Sequence, residues 1–488
     1  MSKIWKLIFA QATAISTLAF FLWAEPAYSL ADEPFIVKPY VQMGTQSKDS
    51  AHPTEEVLWM CDSAFKDWTI EYKNESDKAW KTVAPGGLQH HAILDAGRDN
   101  LEQYICVLHN LVPGGKFNYQ VKLKGTLQLA SDAVAPKQPN QPCKIAVFGD
   151  CGYGSPGQKE IANQCYKAHP DLVVIPGDVV YMMGLFSEYQ LRFFPVYNAD
   201  KPSESGVPLL RSTMIMPVVG NHDIAYVPGT ESTNMNRFPE GLAFYTIFDL
   251  PQNGPATKYG EENTLQLSGD KEIIDRFLKS AGTRFPRQST YSFEYGDTHW
   301  TVLDANDFMD YRNEKTRAWI KQDLTSAKTK WKFVTYHQPG FSCDATHFSE
   351  QQMRLLADLF EECGVDVVFC GHAHNYQCTY PIHFQAQKRD GQYVVLSDGR
   401  VPGKFTLDKH FDGKTATKPD GIIYIVTGGG GGLLYGQRMQ QPDEPDFVKL
   451  TVSKTHSFTL CDIEGDSMTI RQIAANGELL DEFKVTKH

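Results

Sequence analysis

The chain has 488 residues, of which 42% are hydrophobic and 22% charged, so it is long enough for two or three domains with sizeable cores and is neither disordered nor fibrous in composition. A formal net charge of −11 argues against nucleic acid as a dedicated partner, because binding a phosphate backbone wants a basic face.

Residues 1–31 read as a secretory signal peptide. Lys3 and Lys6 precede an apolar run from Leu7 to Trp23, and the small residues of Ala27-Tyr-Ser-Leu-Ala31 offer a cleavage site. The expected location is secreted or periplasmic, with no membrane partner once the signal is removed. Export would permit disulfides among the ten cysteines, and Cys61 with Cys106 is the expected pair because both fall in strand-like runs of one domain. From 32 to 130 the short runs Glu56–Cys61, Trp68–Tyr72, Tyr104–Leu108 and Phe117–Lys122 alternate with turn residues, which predicts a β-sandwich. Its Leu111–Tyr119 stretch looks like the turn into the tyrosine-bearing strand of a fibronectin type III domain. His90 and His91 read as loop or edge residues without ligand partners nearby. The proline-rich stretch 131–142 reads as a linker.

From 143 to 488 the texture changes to apolar strands alternating with helical patterns, which predicts a second domain of α/β (α+β) class with its sheet covered on both faces. Strands are expected at Ile145–Phe148, Leu172–Ile175, Ile215–Val219, Trp331–Tyr336 and Val365–Phe369. Helices are expected near Gln158–Ala168, Glu314–Ala327 and Glu350–Cys363. The region 224–284 is polar and poorly periodic and reads as an insertion. Five of the apolar runs end on a side chain able to bind metal: Asp150, Asp178, Asn221, His337 and His372. In α/β sheets the carboxyl ends of the strands form the ligand crevice, so residues far apart in sequence can converge there. One Gly-Asp turn is weak evidence; five such strand ends in one chain are strong.

The segments Gly149-Asp-Cys-Gly152, Gly177-Asp-Val-Val-Tyr181, Gly220-Asn-His-Asp223, Val334-Thr-Tyr-His337 and Gly371-His-Ala-His374 resemble the five metal-binding motifs of the purple acid phosphatases, within the calcineurin-like metallophosphoesterases. The likeness extends to Tyr291-Ser-Phe, Thr316–Leu324, Ile425–Gly429 and His456-Ser-Phe. It implies a metallophosphoesterase sandwich of two mixed sheets flanked by helices, preceded by the fibronectin type III-like sandwich. It also implies a secreted acid phosphatase that hydrolyses small phosphomonoesters through a metal-bound hydroxide. Asp178 would bridge two ions, with Asp150, Tyr181 and His374 completing the first site and Asn221, His337 and His372 the second. The donor chemistry agrees with that split. Two carboxylates and a phenolate suit Fe(III), whereas imidazoles and an amide suit Fe(II), Zn(II) or Mn(II).

By the same resemblance His222 would hold the phosphate and His347 would protonate the leaving group, although the loop Pro339–Thr346 shows no evident anchor in the sequence. Asp223 stands where relatives often carry Glu and would orient His222. Tyr376-Gln-Cys-Thr replaces a common Tyr-Glu-Arg continuation, which removes an arginine beside the site. Asp304, His299 and His456 read as structural, and Gly428–Gly432 as a tight turn near the site. Two rivals are a phosphodiesterase or nucleotide pyrophosphohydrolase on the same scaffold, and an exported binding protein with a degenerate catalytic domain. Oligomeric state is left open.

Overall fold

The computed structural model describes residues 33–44, 53–95, 98–225, 232–436, 438–440 and 443–488, so the signal-peptide reading falls outside the described residues. The N-terminal part is two antiparallel four-stranded sheets. One has the order β1-β2-β6-β5, from Phe35–Gln42 (β1), Glu55–Asp62 (β2), Leu88–Asp95 (β5) and Arg98–Leu108 (β6). The other has the order β4-β3-β7-β8, from Trp68–Asn74 (β3), Lys81–Thr82 (β4), Lys116–Leu123 (β7) and Thr126–Val134 (β8). Between them lie Trp59, Trp68 and Tyr104, with Trp59 stacked on Tyr104 at 5.3 Å. The alternating buried positions of β7, from Phe117 through Tyr119 to Val121, are the period-two pattern of a sheet with one face in a core.

The expected Cys61–Cys106 disulfide is absent. Val57 pairs with Cys106 and Cys61 with Glu102 in the β2–β6 ladder, so the two sulfurs sit four residues apart along the strands, roughly 13 Å, beyond disulfide reach. All ten cysteines are buried and free.

The C-terminal part holds two mixed sheets. In the first, Cys143–Val147 (β9), Leu172–Ile175 (β10) and Met214–Pro217 (β11) run parallel. The second contains Tyr291–Tyr295 (β12), Thr298–Val302 (β13), Trp331–Tyr336 (β14), Val367–Cys370 (β15), Tyr376–Thr379 (β16), Ile423–Thr427 (β17) and Val448–Val452 (β18), in the order β12-β13-β14-β15-β17-β16-β18. Ser457–Glu464 (β19), Ser467–Ala474 (β20) and Leu479–Thr486 (β21) complete the first sheet, in the order β11-β10-β9-β19-β20-β21. Every residue of β10, β11 and β15 is buried, as expected of strands covered on both faces.

Helices Pro156–Ala168 (α1), Glu314–Ser326 (α3) and Ala357–Glu362 (α4) lie beside these sheets, whereas Lys271–Ala281 (α2) packs on β5 of the N-terminal part. Ser155 caps α1 by accepting from the Gln158 amide, and Asn313 caps α3 through the Thr316 amide. The expected helix over 350–363 is instead a 3₁₀ segment, Gln352–Leu356, followed by the short α4. Arg354 explains the tighter winding: its guanidinium is buried, donating to the Gly340 carbonyl and pairing with Glu444, so tertiary contacts override the local preference. The region read as an unpatterned insertion is also ordered, with α2 and a two-stranded ribbon of Ser232–Asn234 and Gln266–Ser268.

Candidate metal centre

The site lies where the carboxyl ends of strands from both mixed sheets meet. Asp150, Asp178 and Asn221 follow β9, β10 and β11; His337 and His372 follow β14 and β15. Asp150, Asp178 and His372 all take left-handed backbone conformations, with φ of 59°, 49° and 67°. Such conformations are sparsely populated by residues other than glycine and persist where surrounding structure enforces them. Glycines permit the close approach: a Cβ on Gly371 or Gly428 would lie 2.7 Å from Asp150 Oδ2, and one on Gly432 2.6 Å from the His374 ring. The Gly428–Gly432 run is thus packing space around the site, as expected of a tight turn.

Two donor clusters share Asp178. Asp178, His337 and His372 form one and Asp150, Asp178 and His374 the other, with ligand atoms in each within 4.8 Å of one another. Each histidine has its outer nitrogen committed and its inner one facing the centre. His337 Nδ1 donates to the Pro176 carbonyl at 2.8 Å and its Nε2 lies 3.2 Å from Asp178 Oδ1. His374 Nδ1 donates to the Leu433 carbonyl at 2.7 Å, leaving Nε2 3.3 Å from Asp150 Oδ1 and 2.9 Å from the Tyr181 hydroxyl. His372 Nε2 donates to Glu350 Oε2 at 2.7 Å, and its Nδ1 faces His337 Nε2 at 3.2 Å. Outer hydrogen bonds of this kind fix tautomer and ring orientation in metal sites. Asn221 Oδ1 is buried with no hydrogen-bond partner. A buried acceptor left unpaired costs roughly 1–3 kcal/mol, which a cation would offset.

The electrostatics point the same way. Burial works against the His337 imidazolium, but the Asp178 and Asp150 carboxylates outweigh it and raise its pKa to about 10. Burial likewise opposes Asp178 ionisation, yet His337 and His222 hold it below the usual carboxylate range. Tyr181 is pushed well above its ordinary value by burial and by the charges of Asp150 and Asp178. The two buried carboxylates thus face imidazole nitrogens of His337 and His374 across the centre, and the donor set fits a cation between them.

His222 and His347 both reach the site. The His222 ring lies 4.6 Å from that of Tyr181, and its Nδ1 donates to the Met182 carbonyl at 2.8 Å. Asp223 does not orient it, contrary to expectation. That carboxylate accepts from the amides of Val179 and Val180 at 3.0 and 3.3 Å and of Gly220 at 2.9 Å, tying the Asp178 loop to the Asn221 loop. The His347 ring sits 4.0 Å from His372, and its Nδ1 donates to Glu350 Oε1 at 2.8 Å. Its loop is anchored after all: Gln377 accepts from the Cys343 amide and donates to Ser342, while Asp344 accepts from the amides of Thr346 and His347. Gln377 is the residue in the variant Tyr376-Gln-Cys-Thr segment.

Glu350 was missed by the sequence reading. It spans His347 and His372 with its two oxygens, and both histidines help hold its carboxylate ionised against burial. A carboxylate three residues past a candidate acid is the signal that could have found it. Asp304 is buried and bonded to Asn306, and His456 to the Gly429 carbonyl, both as structural residues. His90 pairs with Glu102 on the edge strand β5, and His91 contacts Arg284.

Residues 143–376 match the calcineurin-like phosphoesterase family model. The chain is 26% identical to purple acid phosphatase 23 of Arabidopsis thaliana over 66% of its own length and 64% of that relative's. With purple acid phosphatase 15 of the same plant the values are 24%, 58% and 50%, so it spans less than two thirds of either relative. The structure of the purple acid phosphatase PPD1 from yellow lupin (Lupinus luteus) seeds matches with a TM-score of 0.64 at 17% identity, covering 93% of this chain and 74% of that one. Residues 143–376 are thus a calcineurin-like phosphoesterase domain by that match. Within that class the chain is similar to the purple acid phosphatases.

Proposed function

We propose that this chain is an exported phosphomonoesterase working with two metal ions, and that a fibronectin type III-like domain, whose β8 runs on to Val134 past the boundary at 130 expected from the sequence, is joined through 135–142 to a catalytic domain at 143–488. The observation that carries this reading is the pair of donor clusters sharing Asp178. Asp150, Asp178, Tyr181 and His374 would hold the first ion, Fe(III); Asp178, Asn221, His337 and His372 would hold the second, Fe(II), Zn(II) or Mn(II). When bound, the ions supply Lewis acidity toward phosphoryl oxygen and acidify a water enough to make it a nucleophile below neutrality.

The protein's own groups then divide the remaining work. With Nδ1 committed to Met182, His222 offers Nε2 to a phosphate oxygen from a position 4.0 Å from Asp178 Oδ2. With Nδ1 committed to Glu350, His347 offers Nε2–H, when protonated, to the departing alkoxide. No phosphorylated side chain is required. The test is turnover of nitrophenyl phosphate against bis(nitrophenyl) phosphate by the purified, metal-loaded protein. Faster hydrolysis of the monoester supports the reading; faster hydrolysis of the diester replaces it with a phosphodiesterase on the same scaffold, and turnover of neither leaves a binding protein.

A further inference from the structure

We infer that the mouth of this site carries an apolar subsite for the ester group, so that the preferred monoesters are those of hydrophobic alcohols. The inference rests on the phosphomonoesterase reading and adds the substrate class.

Single exposed apolar side chains are ordinary on protein surfaces. Met182 and Leu433 are distinguished by where their backbones are fastened. The Met182 carbonyl accepts from His222 Nδ1 at 2.8 Å and the Leu433 carbonyl from His374 Nδ1 at 2.7 Å, yet the two residues are 44% and 68% exposed. The Tyr181 ring contacts both imidazoles, 4.6 Å from His222 and 5.8 Å from His374. Tyr153 meets the same ring edge-on at 5.3 Å. Tyr435, two residues past Leu433, lies flat on His374 at 4.2 Å and 5.6 Å from the His347 ring.

Met182, Leu433 and Tyr435 are thus each fastened beside a histidine of the site. The guanidinium bonded to the Tyr181 carbonyl, that of Arg192, also faces Glu188 at 3.7 Å, which leaves it poorly placed to receive a second anionic group. A phosphate seated at His222 and His347 carries its ester substituent outward past Met182, Leu433 and Tyr435. Covering those side chains removes apolar surface from water, and a polar or charged substituent gains nothing from them.

The test uses n-alkylphosphonates from ethyl to hexyl, which cannot be hydrolysed, titrated calorimetrically into the metal-loaded full chain. A fully buried methylene is worth about fourfold in affinity, so a half-covered rim should give about twofold per methylene and roughly sixteenfold across the series. Leu433→Ser and Met182→Gln should each flatten that slope, a readout internal to each variant. A flat series in the unsubstituted protein would overturn the subsite. Nitrophenyl phosphate hydrolysis by the same preparation separates the two failures: hydrolysis with a flat series sinks the subsite alone, whereas no hydrolysis removes the monoesterase reading on which the subsite stands.

Discussion

Glu350 joins the two functions assigned to this site, because one of its oxygens fixes a candidate ligand, His372, and the other the candidate acid, His347. Replacing it with glutamine keeps the shape and removes the charge. Glu350→Gln should weaken metal retention by about 10–100-fold, read by competition against a chelator; unchanged retention would make Glu350 a packing residue. His347→Ala should leave metal content intact and slow alkyl phosphates by on the order of a hundredfold, with much less effect on nitrophenyl phosphate, whose leaving group needs no proton. Equal losses for both substrates would assign His347 to phosphate binding instead. Five of the seven candidate ligands were legible because each ends an apolar run, and Tyr181 and His374 because they stand two or three residues further on in motifs that resemble those of a known family. Glu350 and the actual duty of Asp223 were not, because a carboxylate's partner depends on loop geometry that no local pattern encodes.

Among the elements, β13 is tied to α3 and β12 through His299. Its Nε2 lies 3.0 Å from Asp323 Oδ2, and its Nδ1 3.8 Å from Glu294 Oε1. Burial works against its charge, but Asp323 and Glu294 outweigh it and raise its pKa to about 9. A histidine held above its unfolded value of about 6.5 contributes stability that is fully present below that pH and is lost as pH rises through 9. Its contribution is on the order of 3 kcal/mol at most. Melting temperature should therefore fall between about pH 6.5 and 9, and His299→Gln should reduce that fall; an unchanged pH profile in the variant would show that other groups set it. Strands β10 and β14 match their expected spans because continuous Val/Ile-rich runs admit few other structures. Helix α2 was overlooked although Ile273, Ile274, Phe277, Leu278 and Ala281 recur at helical spacing, since the polar, turn-rich sequence around it masks the period.

At the scale of the whole molecule, the segment read as an insertion fastens the two parts together. Arg284 is buried, and its guanidinium donates to Gln103 at 2.8 Å, approaches His91 Nε2 at 2.6 Å and donates to the carbonyls of Thr246 and Phe248. Tyr40 and Gln103 of the sandwich both donate to the Ile247 carbonyl, and Tyr119 to that of Arg211. Arg284→Ala would leave several of these groups unpaired, so it should cost about 3 kcal/mol or more and lower the melting temperature. The unsubstituted protein should unfold in one transition; two separate transitions would show that the parts are energetically independent. Such long-range contacts were invisible in the sequence, which marks where a turn-rich segment lies without showing what it touches. The central claim, that the clusters sharing Asp178 hold a pair of ions, is tested most directly by elemental analysis of the purified protein before and after Asp178→Ala. Two metals per chain, one of them iron, and loss of both in the variant are the predicted result; a single zinc, or no metal, in the unsubstituted protein would contradict it.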